Sequence, residues 1–359
     1  MKPKKVNHLN ALFLNKGIII LLFIATVSCS SNEYFENGPS PREQHFDFKN
    51  ECKDLGPSLS NFGFSYTTIG VEYAQPLFNP NDNDEIIFHE QTLDFSRLVK
   101  YRISTGKRVI LLDEVSRNVE LDWGISGWIA LSNYKDIYIL KEDGSSLQAI
   151  PLPSYDTGYS CAEPDFSPDG NTIGFPFGGV DNIGLYGMYL LYNIEYNALD
   201  TFNSYREVLN SSRNVDWSNS NKMSIYLGEE FGDIYAGLGF VDMNLKTKVI
   251  LFKNSDSQDL EFFGKSSTQW SNSSNYLFIT GKGVYMYPLS EYKEIRIKKA
   301  CLSRYYEEIT ISPNDKHIIV KRVDVRRERP LSNTLEVRNR LFIMDIDGCN
   351  ERLLLGEDG

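Results

Sequence analysis

The chain is short of histidine, of clustered cysteine and of positive charge, and each shortage removes a class of function. It has four histidines and five cysteines in 359 residues, and no two cysteines lie within five residues of each other. Zinc sites draw on closely spaced Cys and His, so we expect no metal and no cofactor. The formal net charge is −11. Because nucleic-acid binding needs a clustered positive surface, we expect no nucleic-acid partner.

Two further absences concern catalysis and helices. The serine nucleophile pattern Gly-x-Ser-x-Gly does not occur, which excludes a fused α/β-hydrolase domain of the prolyl-peptidase kind. Beyond residue 28 no stretch keeps an apolar period of 3.6 residues. Hydrophobic residues nevertheless make up 41% of the chain, which is enough to build a buried core. The sequence is therefore predicted to fold as an all-β protein.

The N-terminus has the pattern of an export signal. Four lysines precede an apolar stretch at 18–27, which is too short to span a bilayer. Ser28-Cys29 ends this stretch and resembles the lipobox of bacterial lipoproteins, although Thr26 stands where that family usually has Leu. The resemblance implies a signal peptide at 1–28, lipid on Cys29, and a protein anchored in the bacterial cell envelope, at the outer membrane. An ordinary cleaved signal peptide is the alternative.

The region after the signal is interpreted as a tether followed by one large domain. Residues 29–58 form a flexible tether and N-terminal extension, rich in Ser, Asn, Glu and Pro at its start. Residues 59–359 form the folded domain. Phe62 to Tyr73 alternates like a strand, and this segment either adds an outer strand to a blade or plugs one mouth of a channel.

Repeats decide the fold of that domain. In the clearest unit, Pro164 to Phe175, a short strand ends in Phe166, a Ser-Pro-Asp-Gly turn follows, and an alternating strand leaves the turn. Similar units recur at intervals of 41 to 53 residues, with anchor positions near 78, 123, 166, 217, 270 and 311. A second hairpin completes each unit. Four antiparallel strands per repeat at this period predict a six-bladed β-propeller.

This repeat resembles the WD-like repeat of TolB-type propellers. The resemblance covers residues 76 to 359 and is strongest at 164–175. It implies the fold but not the function, because the same repeat occurs in translocation factors, in peptidase propeller domains and in many lipoproteins.

Three acidic residues share one position of the repeat. Asp122, Asp165 and Asp216 each stand directly before the anchor aromatic of their unit. They are interpreted either as a partial acidic ring that binds a cation or a basic partner, or as hydrogen-bonding groups that tie adjacent blades together.

The candidate partner site is the face of the propeller that carries the long connections, which we call the loop face. The connections are predicted at 151–164, 178–188, 200–214, 229–238, 254–267 and 322–340. Their candidate binding residues are aromatic or arginine: Tyr155, Tyr159, Tyr186, Phe231, Tyr235, Arg326, Arg327 and Arg329. The opposite face, with the short turns of the first hairpins, is called the turn face.

The remaining cysteines are Cys52, Cys161, Cys301 and Cys349. In an oxidising compartment they form disulfides of unassigned connectivity, or they are free buried thiols. Cys301 and Cys349 are expected near opposite faces, and hence not to be bonded to each other.

Two functions fit these features. The first is an envelope-anchored binding or scaffold protein that recognises a protein or polysaccharide through its loop face. The alternative is a carbohydrate- or peptide-processing enzyme that uses acidic residues at the channel mouth, with Glu163, Asp181, Glu229 and Glu230 as candidates. Two facing carboxyls of raised pKa in a deep channel would favour the enzyme, and a shallow aromatic surface would favour the binding protein.

Overall fold

The computed structural model describes residues 65–133, 135–153, 159–161, 163–181, 184–201, 216–227, 237–244, 247–253, 267–280, 283–290, 295–299, 303–327 and 334–356. All of them belong to one compact unit, residues 39–359. This part of the chain contains β-strands and turns, with no helix. Among the described residues there is accordingly no helix long and apolar enough to cross a membrane. The all-β prediction is confirmed.

The strands form six antiparallel sheets that follow one another along the chain. Sheet 1 contains β2 (Glu72–Asn79), β3 (Asp82–Gln91), β4 (Ser96–Arg102) and β5 (Lys107–Leu112). Sheet 2 contains β6 (Glu120–Trp123), β7 (Trp128–Ser132), β8 (Ile137–Lys141) and β9 (Gln148–Ala149). Sheet 3 contains β10 (Tyr159–Cys161), β11 (Asp165–Phe166), β12 (Thr172–Asp181), β13 (Gly184–Asn193) and β14 (Ala198–Thr201).

The second half of the chain repeats this order. Sheet 4 contains β15 (Lys222–Leu227), β16 (Gly237–Asp242) and β17 (Thr247–Lys253). Sheet 5 contains β18 (Thr268–Trp270), β19 (Tyr276–Thr280), β20 (Gly283–Pro288) and β21 (Ile295–Lys299). Sheet 6 contains β22 (Arg304–Ile311), β23 (His317–Arg327), β24 (Thr334–Asp345) and β25 (Arg352–Leu355), and is joined by β1 (Ser65–Thr68).

Five sheets are complete four-stranded blades, against the six predicted. Sheet 4, at the place of the fourth predicted blade, has three strands over the described residues. Its innermost segment is reduced to the bridge between Trp217 and Met223, flanked by backbone hydrogen bonds from Ser218 to Lys222 and from Ser224 to Asp216. The sequence repeat is therefore present at all six places, but at the fourth the inner strand is too short to count as a strand.

Apolar side chains fill the spaces between neighbouring sheets and close the sheets into a ring. Ile87 and Leu98 of sheet 1 share a core with Trp123 and Ile129 of sheet 2. The last sheet packs in the same way on the first, through a core that contains Ile319 and Leu341 together with Phe78 and Ile86 of sheet 1. Because each strand is apolar towards both neighbours, burial requires a neighbour on each face, and closure supplies it.

The N-terminal strand joins the two ends of the domain. β1 runs parallel to β24, with Ser65 opposite Thr334 and Thr68 opposite Val337. The hydrogen bond from Ile69 N–H to the carbonyl of Val337 continues this pairing at 2.9 Å. Of the two roles considered for residues 62–73, an additional outer strand is correct for β1, and it ties the start of the domain to its final sheet.

Turns of adjacent sheets touch on the turn face. Ser126 of sheet 2 donates its hydroxyl to the carbonyl of Gly170 in the Ser-Pro-Asp-Gly turn, at 2.6 Å. Gly170 has φ of +70°, and a Cβ there would lie 2.8 Å from the backbone nitrogen of Ser126. Glycine is thus required at this turn both for its backbone conformation and for the close approach of the next sheet.

Candidate functional site: the axial channel and the extended hairpins

Side chains of one inner strand accept hydrogen bonds from backbone N–H groups of the next inner strand. Together these hydrogen bonds form one level around the channel, which we call a rung. The carboxylate of Asp122 accepts from the N–H of Phe166 at 2.6 Å. Asp165 accepts a hydrogen bond from the N–H of Trp217, and Asp216 accepts one from the N–H of Trp270. Each acceptor stands directly before its own anchor residue and each donor is the anchor of the following sheet. Of the two interpretations of the three aspartates, hydrogen-bonded ties between blades are confirmed.

The same rung also joins the last sheet to the first. Between sheets 6 and 1 the acceptor is the hydroxyl of Thr310, which accepts from the N–H of Phe78 at 3.2 Å. Between sheets 1 and 2 the corresponding residue is Leu77, whose side chain has no acceptor. The interface between sheets 1 and 2 thus relies on its apolar core rather than on this hydrogen bond.

A second rung lies two residues farther from the turn face. Glu120 accepts from the N–H of Glu163 at 2.6 Å, and Glu308 accepts from the N–H of Gln75 at 2.5 Å. Both donor residues have positive φ, +44° for Glu163 and +51° for Gln75. These are left-handed conformations that non-glycine residues seldom adopt. The inner strands therefore kink at this level, which turns the N–H towards the neighbouring carboxylate.

A cavity of about 120 Å³ lies at the turn-face end of the channel. Its wall comes from inner strands and first-hairpin turns of sheets 1, 2, 4, 5 and 6 and contains three of the four tryptophans of the chain. The lining residues are Leu77, Phe78, Pro80, Asp122, Trp123, Trp217, Ser218, Asn219, Gln269, Trp270, Ser271, Asn272, Thr310, Ile311 and Pro313. The cavity thus combines flat aromatic surface with carboxyl, amide and hydroxyl groups.

The three aspartates, which we call the channel carboxyls, have no ion pair with a described cation. Burial raises the pKa of Asp122 to about 6, with partial compensation from the N–H of Phe166. For Asp165, burial and the neighbouring carboxyls of Asp122 and Asp216 raise the pKa well above its usual range. Burial likewise raises the pKa of Asp216. The hydrogen bond between the side chains of Asp165 and Asp122 raises the pKa of Asp165 further, which favours the protonated form of this carboxyl.

Sheet 6 contains a contrasting group, the ionic cluster. Asp324 is contacted by Arg304 at 3.0 Å, Arg322 at 3.1 Å and Arg340 at 2.7 Å. Glu351 pairs with Arg322 at 3.0 Å and with Lys298 of sheet 5 at 2.9 Å. Burial alone would raise the pKa of both carboxylates, but the adjacent cations outweigh burial and lower it. The cluster joins sheets 5 and 6 by charge.

A third set of charges lies between sheets 6 and 1. The ammonium group of Lys321, 3% exposed, pairs with Glu307 at 2.8 Å, Glu72 at 3.2 Å and Glu308 at 3.5 Å. These carboxylates raise the pKa of Lys321 despite its burial.

A neutral histidine lies near this group. Burial lowers the pKa of His89 to about 4, so its imidazole is neutral and shares a 2.7 Å hydrogen bond with Ser96.

The predicted loop-face residues lie partly on strands. Arg326 and Arg327 end β23, and Arg326 pairs with Glu336 across the hairpin. Tyr159 lies on β10 and Tyr186 on β13. The remaining candidates, Tyr155, Phe231, Tyr235 and Arg329, lie outside the described residues.

Two predicted long loops are in fact hairpin extensions. The segment 178–188 continues β12 and β13 up to the pair Asp181 and Gly184, and 322–340 continues β23 and β24 up to the pair Arg327 and Leu335. Both were predicted as loops because their Gly or Arg content hides the strand alternation. The extensions are favoured instead because every residue pair adds backbone hydrogen bonds to an existing ladder.

These two hairpins have the longest described ladders between second and third strands, with ten and eleven residue pairs against seven in sheet 1, and their sheets stand opposite each other. Their strands have 10 to 12 residues, whereas the equivalent strands of sheets 2 and 5 have 5 or 6. Five extra residues in a strand add roughly 16 Å. In the ring order, sheets 3 and 6 are separated by two sheets on either side.

The cysteines differ in state. Cys161 is a free buried thiol whose pKa burial raises to about 12, and Cys349 is disulfide-bonded. Gly348 adjoins β21, since a Cβ there would lie 2.4 Å from Ile297. The absence of a bond between Cys301 and Cys349 stays a prediction, because Cys301, like Cys29 and Cys52, lies outside the described residues.

Sequence reasoning missed the second rung and the ionic cluster. Glu120 and Glu308 stand three residues before their anchors, a spacing that could have been read from the aligned repeats. Arg322, Asp324 and Arg340 gave no such signal, because only the hairpin register places them on one face.

Comparisons with known proteins support the fold. No family model matches the chain, and no curated protein matches it by sequence. Among solved structures it is similar to the nidogen/laminin complex, with 10% identity, TM-score 0.51 and coverage of 78% of this chain and 90% of the other. It is also similar to an oligogalacturonate lyase in complex with manganese, with 6% identity, TM-score 0.50 and coverage of 80% and 78%.

A further similarity is to TolB from Acinetobacter baumannii, with 14% identity, TM-score 0.46 and coverage of 75% and 67%. The ring of four-stranded sheets and the matches with TM-scores of 0.50 and above show that the chain is a β-propeller. The solved structures that share this fold include both binding proteins and enzymes, so the fold by itself does not assign a function.

Proposed function

We propose that the protein is an envelope-anchored binding propeller that recognises a protein or polysaccharide partner at its loop face. The observation that carries this proposal is the pair of extended hairpins in sheets 3 and 6, which flank the channel from opposite sides. Elements that project from a rigid scaffold are common sites of recognition. The candidate residues Tyr159, Tyr186, Arg326 and Arg327 lie on strands of sheets 3 and 6, and three of them on the extended hairpins.

The first experiment shortens one hairpin. Residues 178–187 are replaced by Asn-Gly, which supports a two-residue hairpin turn between the paired Phe177 and Met188. We expect far-ultraviolet circular dichroism to be unchanged and capture of the partner from solubilised envelope material to be lost. Sensitivity of the captured material to protease or to periodate distinguishes a protein from a polysaccharide. Undiminished capture by the shortened variant would remove the basis of the proposal.

The second experiment replaces Arg326, Arg327 and Arg329 with Ala. We expect capture to weaken with a flatter salt dependence, because fewer charges of this hairpin take part in binding. The loss of the partly exposed ion pair between Arg326 and Glu336 should change the melting temperature little. The matched control replaces Lys107, Lys135 and Arg352, three exposed cations outside both hairpins, and carries the same change in charge. Equal loss in both variants would indicate a net-charge effect and not recognition by the hairpin.

Anchoring has its own test. Cys29→Ala is expected to release the protein from membranes into the soluble fraction, because it removes the acceptor of the lipid. A variant that stays membrane-bound and detergent-dependent would contradict the lipid anchor without affecting the binding proposal.

One observation favours the enzyme alternative, namely the hydrogen-bonded pair of Asp165 and Asp122 with raised pKa. A protonated acid beside a carboxylate is the arrangement used in general acid–base catalysis. Both groups also hold backbone N–H groups of neighbouring sheets, which limits their freedom to act on a substrate. Turnover of an oligosaccharide or a peptide that Asp165→Asn abolishes, with the fold intact, would decide for the enzyme.

A further inference from the structure

The outermost strand of sheet 1 has an exposed edge. β5 pairs with β4 on one side, and no strand of the described residues pairs with its other side. Its first four residues are exposed, among them Val109 at 41% and Ile110 at 48%. Because successive residues of a strand point to opposite faces of the sheet, apolar side chains are exposed on both faces of this edge. An edge of this kind presents unpaired N–H and C=O groups to which a further strand can bind.

The length of β5 distinguishes it from other outer strands of the ring. β5 has six residues, whereas β9 of sheet 2 has two and β25 of sheet 6 has four. Proteins commonly protect the edges of their sheets by keeping the edge strands short. β5 does not have this protection, so its edge is long enough to form a ladder with a strand from another molecule.

The charge pattern of this segment is complementary to itself. Residues 107–114 read Lys-Arg-Val-Ile-Leu-Leu-Asp-Glu, with two cations before four apolar residues and two carboxylates after them. When two copies of the segment pair antiparallel, the start of one lies beside the end of the other. The cations of each copy then lie beside the carboxylates of the other copy, and the apolar residues meet in the centre. Parallel pairing would instead bring like charges together, which is destabilising.

Most of these charges are available to a second molecule. Lys107, Asp113 and Glu114 are exposed, and none of them forms an ion pair within the part of the chain that the structure describes. Arg108 differs, because its guanidinium group pairs with Glu90 of its own sheet. Lys107 and the two carboxylates are therefore the groups that a second copy can pair with.

We propose that two copies of the protein associate through β5. The two strands pair antiparallel across a two-fold axis, so that the four-stranded sheets 1 of both copies form one continuous sheet. A single pair of six-residue strands covers a smaller interface than the roughly 1,600 Å² of a standard stable complex, so the dimer is in reversible equilibrium with the monomer. β5 is the strand of sheet 1 farthest from the channel, and the extended hairpins belong to sheets 3 and 6. The dimer therefore does not depend on the proposed function.

The first test measures the oligomeric state by sedimentation velocity. The purified protein is kept in detergent, with micelles in excess over protein, and is examined over a range of concentrations. We expect a dimer whose share increases with protein concentration, and we expect Ile110→Lys to abolish it, because the substitution places a charge at the centre of the strand pair. The matched control is Ile295→Lys on β21, another outer strand, where the replaced side chain is 42% exposed. This control should dimerise like the parent.

The second test exchanges the charges of the pair. Lys107→Glu and Asp113→Lys each put like charges side by side at both ends of the two-fold interface, and each should raise the dissociation constant of the dimer about tenfold. The double variant, with both substitutions, restores opposite charges and should dimerise nearly as well as the parent. Lys135→Glu makes the same change in net charge at an exposed position between β7 and β8, and it should have little effect.

Three results would overturn the proposal. The parent could remain a monomer at every concentration, Ile110→Lys could dimerise as well as the parent, or the double variant could fail to recover what the single charge variants lose. Equal weakening by Lys107→Glu and Lys135→Glu would likewise show an effect of net charge and not of the strand pair. Far-ultraviolet circular dichroism verifies the fold of each variant. Should Ile110→Lys fail to fold, the charge exchange at the exposed Lys107 and Asp113 carries the test.

Discussion

The channel carboxyls and the ionic cluster of sheet 6 are both withdrawn from bulk water, and they are neutralised in different ways. Asp122, Asp165 and Asp216 have backbone N–H groups and one another as neighbours, and their pKa values are raised. Asp324 and Glu351 are surrounded by arginine and lysine, and their pKa values are lowered. Burial is common to both groups, so the presence of adjacent cations decides the direction of the shift.

The comparison also shows two ways to join sheets of a ring. The channel carboxyls attach one inner strand to the next through fixed backbone donors, at a position that recurs in the repeat. The ionic cluster connects sheets 5 and 6 only, through long side chains whose placement follows from the extended hairpin. We therefore expect the protein to remain stable when a channel carboxyl is replaced by a neutral residue that keeps an acceptor. We expect a neutral replacement in the ionic cluster to destabilise it.

The largest effect is expected for Asp324→Ala. It leaves Arg304, Arg322 and Arg340 without their shared counter-ion, and breaking a buried charge pair costs about 3–5 kcal/mol of unfolding free energy. Urea denaturation measures this loss. The control Asp345→Ala removes a carboxylate that is 37% exposed and pairs with His317, and its effect should stay below about 1 kcal/mol. Similar losses in the two variants would mean that the cluster contributes no more than a surface pair.

A smaller effect is expected for Asp216→Ala. The substitution removes the acceptor for the N–H of Trp270 and for the side-chain amide of Gln269. Each unsatisfied buried donor costs about 1–3 kcal/mol, but removal of a carboxyl that burial disfavours offsets part of this. Asp216→Asn, which keeps an acceptor oxygen, should recover most of the stability in the same urea assay. Equal losses in Asp216→Ala and Asp216→Asn would contradict the hydrogen-bonding role.

The smallest effect is expected in the pH dependence of the unfolding free energy, and it concerns Asp122. Because the pKa of Asp122 is raised to about 6 in the folded state, folding binds extra protons between about pH 4 and 6, and stability contributed by this group falls as pH rises. Asp122→Asn removes that dependence. Its unfolding free energy relative to the parent should therefore improve steadily from pH 4 to pH 7, as measured by urea denaturation at several pH values.

The ionic cluster should show the opposite slope. The lowered pKa of Asp324 gives stability that is present above the ordinary carboxyl range and is lost as pH falls through the folded-state value. The deficit of Asp324→Ala should accordingly be full at pH 7 and should shrink in acid. A deficit that grows in acid would show that the arginines of sheet 6 are not held by this carboxylate.

The sequence by itself determined the repeat, and with it the fold class. Anchor residues at intervals of 41 to 53 residues, each followed by a short turn, were enough to predict antiparallel four-stranded units closed into a ring. These signals are local, because a turn and its two strands are set by neighbouring residues. The position of Asp122, Asp165 and Asp216 before their anchors was equally visible, and it carried the correct inference of ties between blades.

The pairing, burial and electrostatic surroundings of these residues follow only from the tertiary structure. The lengths of the β12–β13 and β23–β24 hairpins depend on cross-strand pairing, which no local pattern of Gly or Arg reveals. The inner strand at Trp217 pairs with β15 only through the bridge to Met223, although its turn motif is intact. The opposite pKa shifts of Asp165 and Asp324 depend on which charges the ring brings within a few ångströms, because electrostatic interaction falls with distance in space and not along the chain.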